Sequence, residues 1–369
     1  MKKINPIVRW WVTPMLPPED IFAKHSPLSK WLFHPIKRRL ARSYLKILQK
    51  FTDIKVIGIT GSAGKTTTKE MLASILKLDG RTVCTPKNID SVYSIPNTIL
   101  ITPPGTKYLI LEMGVEYKGE MDFYFWMAKP DIGLITNIFP THTQFLGDIE
   151  GVFKEKSKLV LGLTENGKAV LNFSDAKLKN LSGKLKSEII WFNYDINPIT
   201  QNANAAAALA RVLGVSGDKI KKGLSGYKKP VHRLEIINHA SGALILDDSY
   251  NSNPWAALST LAYFNKLAKG EKIAVLGDML ELGTYDEGAH RELGKMVAKS
   301  NFKTVIGVGK SSKFLIEEVN THSKGTQTFL FTEVEDAMPL VKRNLKKGAS
   351  ILIKGSRSIG LDKIVDALP

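Results

Sequence analysis

The segment Gly58-Ile59-Thr60-Gly61-Ser62-Ala63-Gly64-Lys65-Thr66-Thr67-Thr68 constrains this chain more than any other feature. An apolar β-branched run, Lys55–Ile59, enters a glycine-rich turn, and a helical pattern starts near Lys65. Gly61 and Gly64 let backbone N–H groups approach an anion with no Cβ in the way. The helix start adds its partial positive charge. A nucleotide's phosphate chain matches such a nest. Lys65 can reach the terminal phosphates, and the Thr66 hydroxyl can ligate Mg2+. Gly61, Ser62, Ala63, Gly64, Lys65, Thr66 and Thr67 are therefore read as nucleotide-binding, with Lys65 also catalytic. The strict spacing G-x-x-x-x-G-K-[ST] is not met, because Ile59 stands at its first glycine. A second GKS, Gly309-Lys310-Ser311, has Thr304 at that position and reads as a plain turn into a helix.

Short apolar runs at Ile54–Thr60, Tyr108–Met113 and Asp131–Thr136 alternate with helical patterns. This is the signature of βαβ units on a mostly parallel sheet. SGYKKP at Ser225–Pro230 reads as a linker, after which the alternation restarts at Ala243–Leu246, Lys272–Leu276, Thr304–Val308 and Ser350–Ile353. The expected fold class is α/β: a central P-loop ATPase domain with a mostly parallel sheet, plus a smaller Rossmann-like C-terminal α/β domain. The expected boundaries are 1–50 for a basic N-terminal segment, 51–228 for the ATP-binding domain and 229–369 for the C-terminal domain.

Net charge is +17, and residues 1–50 alone hold eleven Lys or Arg against two acids. No zinc finger or RNP-type aromatic segment accompanies this charge, so nucleic acid is not an expected partner. From Ile36, the residues Ile36, Leu40, Tyr44, Ile47, Leu48 and Phe51 fall at helical spacing among Lys37, Arg38, Arg39, Arg42, Lys46 and Lys50. Such a basic amphipathic helix, with Trp10 and Trp11 upstream, fits either a membrane-surface anchor or a helix packed on the ATP domain. The single cysteine, Cys84, excludes an internal disulfide framework. No apolar run is long enough to span a bilayer. A cytoplasmic location, at or near the inner membrane face, is expected.

Glu112 ends the strand-like run YLILE beside the phosphate loop, where a carboxylate can hold Mg2+. Further segments follow in order: LEMG at Leu111–Gly114, ITN at Ile135–Asn137, THTQFLGDIEGVFKEKSKL at Thr141–Leu159, HRLE at His232–Glu235, DDSYNSNP at Asp247–Pro254, LGDMLELG at Leu276–Gly283 and KGSR at Lys354–Arg357. Together with TGSAGKTTT they make residues 53–369 resemble the Mur ligases of bacterial cell-wall synthesis, and within them the D-Ala-D-Ala-adding branch.

The resemblance implies an ATP-dependent acid–amino-acid ligase that forms an acyl phosphate and releases ADP and phosphate. It implies two Mg2+ ions held by Thr66, Glu112, His142 and a carbamylated Lys156. The neighbours Lys154 and Lys158 leave the register of that lysine open. It assigns nucleotide contacts to Asn137, Arg233, Asp248, Tyr250 and Asn251, and substrate contacts to Lys354 and Arg357. Asn137 also fits a simple turn, and Lys354 with Arg357 also fits a surface basic pair. The site is expected to form when the two domains close.

The expected partners are a small-molecule or lipid-linked peptide precursor and an amino acid or dipeptide, acted on by a monomer. The chain departs from the family in three places, one of them the stretch between Lys168 and Asn202, which is short against the family pattern. About fifty residues precede the first strand, too few for the usual UDP-binding N-terminal domain. The H-N-x-x-N pattern is thinned to Thr200, Gln201 and Asn204. Three other readings stay open: a Mur-like ligase for a non-cell-wall acid, a nucleotide-binding subunit that needs a partner, and a simple P-loop hydrolase that turns over ATP with no amine.

Overall fold

A computed structural model of the chain describes residues 28–86, 89–193, 195, 197–228 and 231–368. Packing divides it into two compact units. The first comprises Met1–Phe139, Phe145–Tyr194 and Gln201–Tyr227; the second comprises Pro140–Gln144, Asp195–Thr200 and Lys228–Pro369.

The first unit is built on six parallel strands: β1 Lys55–Thr60, β2 Thr82–Cys84, β3 Tyr108–Glu112, β4 Ile132–Ile135, β5 Lys168–Asn172 and β6 Glu188–Phe192. Their order is β2-β3-β1-β4-β5-β6. β1 lies between β3 and β4, so the chain crosses one way after β1 and the other way after β3. In open parallel sheets, ligands settle at the carboxyl edge of such a switch. The register puts Ile59 beside Glu112 and Thr60 beside Ile135, so the segments after β1, β3 and β4 leave from one edge. The strands are apolar on both faces because helices cover both, and Val56, Ile57, Ile59, Leu109, Ile110, Leu111 and Leu134 are fully buried.

The helix Leu28–Phe51 joins this unit and packs on the helices Ser91–Leu100 and Glu120–Ala128. Its buried face differs from the periodicity read in the sequence. Ala41, Leu45 and Leu48 enter the core, while Ile36, Leu40, Ile47 and Phe51 stay exposed. Aromatic partners account for the difference. Arg38 is fully buried with its guanidinium 5.5 Å from the Phe123 ring centre, and Arg42 lies 4.5 Å from that of Trp126. A guanidinium stacked on a ring loses less on desolvation than one surrounded by aliphatics. Two basic positions therefore share the inward face.

The second unit also has six strands: β7 Glu235–Asn238, β8 Leu244–Asp248, β9 Glu271–Gly277, β10 Thr304–Val308, β11 Gln327–Phe331 and β12 Ala349–Lys354. Their order is β11-β10-β9-β12-β8-β7, all parallel except the antiparallel edge pair β7 and β8. Helices cover this sheet too. Leu246, Ala274, Val305 and Leu352 pack with Phe264 and Val319 on one side, and Ile245, Val275, Ile306 and Ile351 with Ala337 and Val341 on the other. No helix of the described residues is long and apolar enough to cross a membrane.

Candidate active site

β1 delivers the chain to Gly61 at φ 143°, and Gly64 follows at φ 80° as the cap of the helix Lys65–Leu76. Both values belong to glycine. The space is as demanding as the torsion. A Cβ on Gly61 would come within 1.9 Å of Thr136 Oγ1, and one on Gly64 within 2.2 Å of Asn202 Oδ1. The loop between them is held from β4. Ala63 N donates to Asn137 Oδ1 at 2.8 Å, Asn137 Nδ2 and Thr136 Oγ1 donate to Ala63 O at 3.2 and 2.6 Å, and Ser62 N donates to Asn137 O at 3.1 Å. Asn137 thus braces the turn through its side chain. Lys65 Nζ donates to Gly61 O at 2.9 Å, folding back over the loop it would share with phosphate.

At the mouth of the loop, Thr66 Oγ1 donates to Glu112 Oε1 at 2.8 Å. Glu112 Oε2 lies 3.3 Å from Nζ of Lys69, a fully buried lysine whose amine also donates to Thr85 O at 2.6 Å. A hydroxyl and a carboxylate oxygen side by side are hard donors, so Thr66 and Glu112 fit Mg2+. Among the described residues, no three His, Cys, Asp or Glu side chains are grouped to hold a metal by themselves.

Lys156 lies on the helix Ile149–Leu161, which Asp148 caps by accepting from Gly151 N. Val152, Lys156, Leu159 and Val160 share its buried face. Burial and pairing distinguish Lys156 from the two lysines beside it. Lys154 is exposed, and Lys158 is ion-paired at 2.6 Å with both Asp122 and Glu155. Lys156 is fully buried and its Nζ has no hydrogen-bond partner. Burial first, and then the nearby charge of Lys65, lower its pKa to about 7. Glu116, Glu120 and Glu155 oppose that shift. Glu120, absent from the sequence reading, is itself pushed up to about 8 by burial while its Oε2 accepts from Glu116 N and Tyr117 N.

Asn202 was also missed. It accepts from Thr68 Oγ1 at 3.3 Å and sits against Gly64. Asn204, the asparagine that the thinned pattern pointed to, donates from Nδ2 to Asn193 O at 3.4 Å. The helix Pro198–Val212 turns Asn202 and its buried alanines inward, a signal available from the run of small residues after it.

His142 belongs to the second unit, with a left-handed φ of 54° and Nδ1 2.6 Å from Glu281 Oε2. That contact lowers the Glu281 pKa. Arg233 sits in a turn where His232 and Leu234 both have positive φ, a strain typical of functional loops. Its guanidinium lies 4.0 Å from the Tyr250 ring centre, and that of Arg357 lies 5.4 Å from the same ring. Asp248 accepts from Leu234 N at 3.1 Å, Thr260 Oγ1 at 2.7 Å and Lys354 Nζ at 2.5 Å. Lys354 also donates to Asn251 O at 3.0 Å. It is thus a buried cation tying β12 to the Asp248–Asn251 loop, not half of a surface pair, whereas Arg357 is exposed and ion-paired with Asp362. At the second GKS, the Asp278 carboxylate accepts from Ser311 N and Ser312 N, occupying the place an anion would take.

Two family descriptions match the chain: Mur ligase middle domain over residues 59–220, and Mur ligase, glutamate ligase domain over 232–357. The UDP-N-acetylmuramoyl-tripeptide–D-alanyl-D-alanine ligase of Bacillus subtilis is 33% identical over 362 residues, spanning 90% of this chain and 78% of its own. The Escherichia coli enzyme of the same name is 30% identical, over 85% and 76%. A crystal structure of MurF from Acinetobacter baumannii superposes with a TM-score of 0.81 at 25% identity, covering 90% of this chain and 80% of that one. MurF from Thermotoga maritima, solved with ADP, shares the fold at a TM-score of 0.80 and 24% identity, over 97% and 87%.

Proposed function

Since the chain belongs to the Mur ligase family, and is accordingly an ATP-dependent acid–amino-acid ligase, we propose that it joins D-Ala-D-Ala or a similar amine to a cell-wall peptide precursor through an acyl phosphate. The observation that carries this reading is the Gly61–Thr66 turn at the sheet's switch point, with Thr66 on Glu112 at its mouth. ATP would lay its phosphates on the amides of this turn, with Lys65 leaving Gly61 O for the terminal phosphate. The acceptor carboxylate attacks the γ-phosphorus, ADP leaves, and the amine displaces phosphate from the acyl carbon to form the amide. The protein's part is to position the reactants and neutralise charge.

Thr66 and Glu112 would hold a Mg2+. Bound there, the ion would neutralise phosphate charge and polarise the transferred group. Lys156 suits carbamylation: its amine is buried and unpartnered, and with a pKa lowered to about 7 a large share of it is neutral near pH 7, so it can attack CO2 and release a proton. The carbamate replaces a cation by an oxygen donor, the form a second Mg2+ would need. His142 enters this set through the family resemblance, its Nδ1 being engaged by Glu281. Arg233, Tyr250, Asp248 and Asn251 are our candidate nucleotide contacts, with Arg357 and Lys354 on the substrate side.

We read the enzyme as a cytoplasmic monomer whose helix Leu28–Phe51 faces the inner membrane surface; Trp10 and Trp11, which belong to the same reading, lie outside the described residues. ADP release measured with muropeptide precursors crossed against D-Ala-D-Ala and other amines tests the reaction. Release that requires both a tripeptide precursor and D-Ala-D-Ala is expected; release without any amine would overturn it.

A further inference from the structure

The helix Leu28–Phe51 has an outward face that its packing in the first unit leaves uncovered. Phe33, Ile36, Leu40, Ile47 and Phe51 are 64%, 44%, 57%, 54% and 73% exposed. At about 100° per residue these five positions fall within an arc of roughly 60° along the whole helix. An isolated apolar side chain at a surface is ordinary; a continuous stripe of five is not.

The charges beside the stripe say what covers it. The helix carries seven Lys or Arg and no Asp or Glu. Lys37 borders the stripe on one side, and Arg39, Lys46 and Lys50 on the other, with Lys46 and Lys50 exposed. A second copy of this helix would set cation against cation along the entire seam, with no carboxylate to relieve it. Nucleic acid would meet the cations but would leave the apolar stripe in water. An anionic lipid interface satisfies both, since acyl chains receive Phe, Leu and Ile while headgroups meet the flanking lysines. The inward face is already committed to Phe123 and Trp126, so the stripe can enter a bilayer surface without unfolding the unit.

We propose that the Phe33–Phe51 stripe with Lys37, Arg39, Lys46 and Lys50 is an interfacial docking surface for anionic phospholipid. This gives the lipid-facing reading of residues 1–50 a defined surface, and it does not depend on which acid or amine the ligase uses.

The test is cosedimentation of the full chain with phosphatidylcholine vesicles, with and without phosphatidylglycerol. Binding is expected with phosphatidylglycerol only, and weaker as salt rises. Leu40→Glu with Ile47→Glu should weaken partition by about tenfold or more. Lys46→Glu with Lys50→Glu, which leaves the apolar stripe intact, should also weaken it and serves if the first variant folds poorly. Both variants should keep the wild-type thermal transition and the wild-type ADP release in solution. Equal binding to neutral vesicles, undiminished binding by both variants, or no binding by the wild type would overturn the proposal. A wild-type dimer that the Glu variant dissociates, without vesicle binding, would assign the stripe to a second copy instead. Loss of ADP release with vesicle binding retained would count against the ligase reading alone.

Discussion

The Thr66 hydroxyl donates to Glu112 Oε1 at 2.8 Å, joining the first turn of the helix after β1 to the last residue of β3. Because both groups sit at the carboxyl edge of neighbouring strands, they approach any ion beside the phosphate loop together. Thr66→Val or Glu112→Gln should lower ADP release by about 10²- to 10³-fold. The dependence on Mg2+ concentration should shift upward in both. A coupled ADP assay over a Mg2+ series checks this; an unchanged Mg2+ midpoint in both variants would remove them from the ion's shell.

Lys156 gives a pH signature. Its folded pKa is lowered from 10.5 to about 7, so between those values the unfolded chain binds more protons than the folded one, and this group makes stability rise with pH across that window. The carbamate we propose there needs the neutral amine, so ligation should climb as pH rises through about 7 and respond to bicarbonate. Lys156→Ala should lose ligation yet bind ADP. A carbamate carbon resonance from labelled bicarbonate, present in the wild type and missing in the variant, is the direct readout.

Glu120 acts in the opposite sense. Its folded pKa is raised from 4.5 to about 8, so the folded state binds the extra proton and stability from this group declines as pH rises through that interval. Glu120→Gln keeps an oxygen for Glu116 N and Tyr117 N but cannot ionise. Its melting temperature should fall less than the wild type's over the same interval. Parallel curves would show that Glu120 is not held protonated.

Gly64→Ala combines a φ of 80° with a Cβ 2.2 Å from Asn202 Oδ1. The backbone strain alone costs about 1–3 kcal/mol. Asn202 must also move, which opens its bond to Thr68. We expect a lowered melting temperature and loss of ADP affinity by calorimetry. Pairing the change with Asn202→Ala should recover part of the stability, because the clashing atom is then gone.

Much of the geometry of the candidate phosphate loop was readable along the chain. Gly61, Gly64, Lys65 and Thr66 are neighbours in sequence, and a strand entering a glycine turn before a helix has few conformations open to it. Glu112 could be placed because a strand's last residue must lie at the carboxyl edge of a parallel sheet. The two α/β halves followed from alternating runs whose periods are local.

What escaped such reading depends on partners far away in the chain. Lys156 is an unpaired buried amine because its helix turns that stripe inward, a fate that Lys154 and Lys158 each avoid by two residues. Lys354 answers to Asp248, 106 residues earlier, and His142 to Glu281, 139 residues later. The helix Leu28–Phe51 buries Arg38 because Phe123 lies opposite, which leaves Leu40 and Ile47 outside. Periodicity reports that a helix has two faces, but which one goes inward depends on the shape and charge of the surface it meets. That surface forms only when distant segments pack together.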